Sequence, residues 1–105
     1  MEKYKNEKGE IGVLVSYGFG SGWSTWCLEH RNFLAMDKTL VEMKLDDVEM
    51  VKVVSYLERT LGEIPYMSGW HQVRVEWIKE GTAFVIEEYD GSESLRTLDD
   101  LTMCA

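Results

Sequence analysis

A chain of 105 residues supplies one domain with a modest core and is too short for two. Hydrophobic residues make up 45% of it, with four Trp and five Tyr against a single Pro, which excludes a wholly disordered protein. The formal net charge of -8 disfavours nonspecific attachment to DNA, RNA or anionic lipid.

Met1 to Glu10 is polar and aperiodic, so it is expected as a flexible lead-in to a single domain over residues 11–105. It has no apolar stretch of the kind that marks a signal peptide, and no later run is long enough to span a bilayer. Ile11 to Tyr17 is apolar and β-branched, which predicts a strand buried on both faces. Gly18, Gly20 and Gly22 then make a loop, after which Ser24 or Thr25 is expected to cap a short helix toward Leu34, with Glu29 near its positive end.

Thr39 to Lys44 reads as either a short strand or the tail of a helix. Asp46 and Asp47 are placed to cap the main helix, whose stripe is Val48, Val51, Val54, Leu57 and Leu61, and which Gly62 and Pro65 stop. Gln72 to Trp77 alternates polar and apolar residues. With the turn at Lys79 to Thr82 and the β-rich Ala83 to Glu88, it predicts an antiparallel hairpin, closed off by a further turn at Asp90-Gly91-Ser92. Leu95, Leu98, Leu101 and Met103 are enough to dock a last short strand or helical turn. The expected class is α+β: a small mixed or antiparallel sheet with one main helix and a C-terminal β-hairpin.

Cys27 and Cys104 are far apart in sequence and are expected as free thiols in a reducing cytosol. Neither His30 nor His71 has metal-ligand spacing with them, and no metal or cofactor is expected. A Ser24, His71, Asp90 triad can be written down, but no nucleophile elbow supports it, and the acidic run around Glu87 to Glu93 lacks EF-hand spacing and reads as a solvated hairpin end.

The segment with the most chemical content is Gly20-Ser21-Gly22-Trp23-Ser24-Thr25-Trp26. A glycine loop between a strand and a helix offers backbone N–H groups and hydroxyls to an anion. Here the third-glycine position of a dinucleotide fingerprint holds Trp23, and the Gly-Lys-Ser/Thr ending of a P-loop is absent. Trp23 and Trp26 would supply a stacking surface; the alternative is that both fold into the core and the glycines only turn the chain. Tyr66 and Trp70 would form an opposite wall, and Asp90 and Ser92 would contact base or ribose. Arg31 or Arg74, or groups from a neighbouring copy in a homo-oligomer, would have to offset the negative charge.

The blocks Ser16 to Trp26 and Trp77 to Ser94 resemble those of small, mostly uncharacterised bacteriophage-encoded proteins. The resemblance implies a viral or prophage origin and a place in the host bacterial cytoplasm, and it transfers no catalytic residue. Many small phage proteins counter host defence, so it implies a non-enzymatic sponge that sequesters a cyclic or linear nucleotide immune signal. The alternatives are an acidic inhibitor that binds a host defence protein through exposed Trp and Tyr, and a small enzyme of nucleotide metabolism.

Overall fold

The computed structural model describes residues 1–97, and the protein is α+β. Leu98, Leu101, Met103 and Cys104 of the expected C-terminal segment lie outside the described residues.

Strand β1 (Glu10–Ser16) is the hub. Its side chains alternate between two faces, and both faces are covered. Leu14 points into a core with Trp23, Leu34, Leu40, Val41, Val53, Leu57, Trp70 and Val73, while Ile11, Val13 and Val15 meet Ala35, Phe84, Ile86 and Leu95 on the other side. Burial on both faces explains why this strand is apolar throughout rather than alternating.

The helical segment expected from Ser24 to Leu34 is broken into two 3-10 turns, Ser24–Trp26 and Leu28–His30, followed by helix α1 (Arg31–Met36). The physical reason lies at Trp23 and Thr25, whose backbone N–H groups are drawn onto a side-chain carboxylate described below. Thr39 to Lys44, ambiguous in sequence, is helical within α2 (Lys38–Leu45). Asp37 caps it, accepting from the Leu40 N–H at 3.1 Å and from the Tyr56 hydroxyl at 2.7 Å.

Helix α3 (Met50–Leu61) ends at Gly62 as expected, but starts later than Asp46 and Asp47 suggest. Asp46 instead closes α2, and Asp47 turns the chain with φ 52°. The buried positions are Val53 and Leu57; Val51, expected in the stripe, is 64% exposed. The inward face instead runs through Met50, Val53, Leu57 and Leu61, spaced three or four residues apart.

The strand pairing also differs. Strand β2 (Val73–Lys79) does not form a hairpin with the next segment but runs antiparallel to β1, Glu10 opposite Lys79 and Ser16 opposite Val73. The C-terminal hairpin is made by β3 (Phe84–Tyr89) and β4 (Ser92–Thr97). Its turn is Asp90-Gly91, with φ 48° and 85°, the doubly left-handed geometry whose twist matches paired strands. The sheets are thus β1-β2 and β3-β4, and the second packs its inner face on β1.

The N-terminal segment makes several contacts with the folded body. Lys3 bridges to Asp37 and Lys5 to Ile11, the Lys38 N–H donates to the Glu2 carbonyl at 2.8 Å, and Tyr4 packs against Trp77 with ring centroids 5.7 Å apart. Among the described residues, no helix is long and apolar enough to cross a membrane.

Candidate functional site

The glycine loop, Tyr66 to Trp70 and the Asp90 to Glu93 turn converge at one end of the molecule, and the space between them is filled by protein. The loop does cradle an anion, and that anion is the protein's own Glu93, which is 1% exposed. Its Oε1 accepts from the Ser16 N–H at 2.9 Å; its Oε2 accepts from the Trp23 N–H at 2.8 Å, the Thr25 N–H at 3.1 Å and the Thr25 hydroxyl at 2.5 Å. Four donors on one carboxylate compensate its desolvation, as a bound phosphate would be compensated in the same nest.

Sequence reasoning placed Glu93 in a solvated hairpin end. The overlooked signal is the β4 alternation, which sets Glu93 on the same face as Leu95, a residue packed against the core. Glu88, directly across the hairpin from Glu93, is likewise held by N–H groups: Gly91 N at 2.8 Å and Trp26 Nε1 at 3.3 Å. These donors offset the repulsion expected of two acids facing each other across a strand pair.

Each residue expected at a ligand has a defined place. Trp23 is fully buried, and its Nε1–H donates to the Leu34 carbonyl at 2.8 Å. Trp70 is 4% exposed and lies between Trp23, at a centroid distance of 5.2 Å, and the Lys44 ammonium, which is 4.2 Å above its ring. Ser24 is buried. The Ser21 carbonyl accepts from the Ser16 hydroxyl at 2.6 Å, and the Gly20 N–H donates to the Asp90 carbonyl. The Ser92 hydroxyl reaches the Tyr17 carbonyl at 3.4 Å. Trp26 and Tyr66 remain at the surface as an aromatic pair with centroids 5.2 Å apart. Arg74 stands over the Tyr17 ring rather than over the loop.

Backbone packs on backbone where Gly22 meets Gly69. A Cβ on Gly69 would overlap the Gly22 carbonyl oxygen and lie 2.7 Å from that of Ser21. Gly69→Ala is therefore expected to cost about 1–3 kcal/mol through overpacking, read as a lowered thermal midpoint. An unchanged midpoint would mean that the two loops are not in contact.

The open space lies beside this end. A cleft of about 510 Å³ separates the Ser24–Met36 segment from β3. Its apolar lining includes Leu28, Ala35, Met36, Phe84 and Ile86; its polar groups are Ser24, Thr25, Arg31, Asn32 and Glu88. The volume is within the roughly 300–1,000 Å³ typical of small-ligand sites. The Arg31 backbone N–H donates to the Leu28 carbonyl, but its guanidinium makes no hydrogen bond or ion pair among the described residues, although the chain carries nineteen carboxylates. Of the residues expected to bind a ligand, Ser24 and Thr25 line this cleft.

Among the described residues, one grouping has metal-ligand chemistry: Glu29, His30 and Glu63, with ligand atoms within 4.8 Å of one another. It is a 2.8 Å His30–Glu63 hydrogen bond with a second exposed carboxylate alongside. Burial, together with the Glu63 and Glu29 carboxylates, pushes the nearby Cys27 thiol above its ordinary pKa, which favours the uncharged thiol. No protein-family model matches the chain, and no curated protein or solved structure shows significant similarity to it.

Proposed function

We propose that this protein is a binding protein that sequesters a small anionic ligand, a mononucleotide in linear or cyclic form, in the cleft between the Ser24–Met36 segment and β3. The observation that carries this reading is Arg31, whose guanidinium is unpaired among the described residues and stands beside an apolar cleft in a strongly acidic chain. One guanidinium suits one phosphate group, whereas a polyphosphate would meet the chain's net negative charge with little to offset it. Phe84, Ile86, Ala35 and Met36 supply the apolar surface that a planar base requires. The Thr25 hydroxyl, whose proton goes to Glu93, keeps lone pairs for a ligand N–H or O–H.

The reading moves the proposed nucleotide from the glycine loop to the adjoining cleft, because Glu93 occupies the loop's donors. The cleft lining supports holding rather than turnover: among the described residues it contains no His, Cys or Lys, and the proton of the Thr25 hydroxyl is already engaged. The resemblance of two sequence blocks to phage proteins makes a nucleotide immune signal of the host the natural candidate.

Native mass spectrometry with a panel of linear and cyclic mononucleotides tests the proposal. A one-to-one adduct of unchanged mass is expected, with Arg31→Ala weakening it about tenfold or more while the thermal midpoint stays put. Absence of any adduct, or equal binding by Arg31→Ala, would overturn it. A ligand returned with altered mass would favour the enzyme reading instead.

A further inference from the structure

A second feature borders the cleft and shares Glu88 with it. Phe19 is 70% exposed and Tyr89 78%, and their rings meet edge to face with centroids 6.5 Å apart. The Gly20 to Asp90 hydrogen bond joins this pair to Gly91, and a Cβ on Gly91 would lie 2.9 Å from the Trp26 ring. Trp26 in turn packs against Tyr66. The four rings therefore form an interrupted stripe at the loop end, two exposed pairs on either side of the Gly20 and Gly91 backbone.

Aromatic rings gathered at an exposed surface are unusual for a monomer and typical of interfaces. Carboxylates flank this stripe. Asp90 and Glu88 lie on its hairpin side; Glu29 is close to the Cys27 thiol, whose backbone neighbourhood includes Tyr66. None of these three carboxylates makes an ion pair among the described residues.

We infer that the stripe Phe19, Tyr89, Trp26, Tyr66 docks a basic, arginine-bearing segment of a partner protein. Charge complementarity selects this occupant: guanidinium groups would stack on the rings and pair with the flanking carboxylates. The chain already makes one such contact, with the Arg74 guanidinium 5.6 Å from the Tyr17 ring centroid. A second copy of the chain is disfavoured as occupant, because each copy brings a formal charge of -8 and the same acids to the contact.

The test uses a fluorescently tagged peptide of alternating arginine and serine, with a glutamate-serine peptide as control, read by anisotropy against the full chain. Saturable binding of the basic peptide alone is expected, weakening as salt is raised and falling about tenfold or more in the Phe19→Ser, Tyr89→Ser double variant. Those two side chains project into solvent, so the variant keeps its fold, checked by its thermal midpoint. Arg31→Ala is expected to leave peptide binding unchanged, which separates this surface from the cleft. Equal binding of both peptides, no binding, or an undiminished double variant would overturn the proposal. Dimerisation that the double variant abolishes would also overturn it and make a second copy the occupant.

Discussion

Glu93→Ala is expected to lower unfolding free energy by about 3–5 kcal/mol, a large part of the total stability of a domain this size. The loss is not that of a surface acid. The substitution strands the N–H groups of Ser16, Trp23 and Thr25 in a space that water reaches poorly, since Ser16, Trp23 and Ser24 are buried as well. Glu93→Gln keeps the shape but presents an amide NH₂ where an acceptor is needed. With the amide oxygen at the Oε2 position, the NH₂ faces the Ser16 N–H, and about 2–3 kcal/mol is expected to be lost. Urea denaturation of the three proteins measures both effects. A change under about 1 kcal/mol for Glu93→Ala would mean that the carboxylate is not the loop's anion.

Trp23→Ala is expected to cost about 3–5 kcal/mol, since it removes a fully buried indole from the centre of the core. Trp70 would lose its partner ring, and the Leu34 carbonyl would lose the indole N–H. A residue that only stacked on a ligand would give the opposite pattern, with stability kept and binding lost. Equilibrium unfolding together with nucleotide binding separates the two. A stable Trp23→Ala protein that had lost its ligand would contradict the core position described for this side chain.

What was legible in the sequence was what is decided locally. The apolar run from Ile11 to Val15 identifies a strand covered on both faces, Asp90-Gly91 identifies a turn, and Gly62 marks a helix end, because each signal lies within a few residues. The partner of β2 was not legible. The short turn at Lys79 to Thr82 favours pairing with the next segment, and only the buried face of β1 explains why β2 pairs with the distant strand instead.

The candidate site was legible in part. Glycines, hydroxyls and a preceding strand identify an anion cradle, but they do not say which anion fills it. The acid that does so stands some seventy residues away, in a run that reads as solvated. Trp23 and Trp26 look alike in sequence, and their fates diverge because the turn around Glu93 aims one inward and the other out. The Arg31 cleft left no motif, since its lining combines Leu28 to Met36 with Phe84 to Glu88, segments that only the folded chain brings together.

The register of β1 against β2 also sets a timetable for synthesis. The most continuously apolar segment of the chain emerges from the ribosome well before its hydrogen-bonding partner, which is complete only once Lys79 has been added. Long-range pairing of this kind slows folding and leaves a strand edge waiting in the nascent chain, where it is open to aggregation. The lysines and glutamates from Glu2 to Glu10 stand directly before that edge and act as gatekeepers while it waits. The same stretch thus serves twice, as a charged guard while the strand waits and as a strap across Asp37 and Trp77 once the fold has closed.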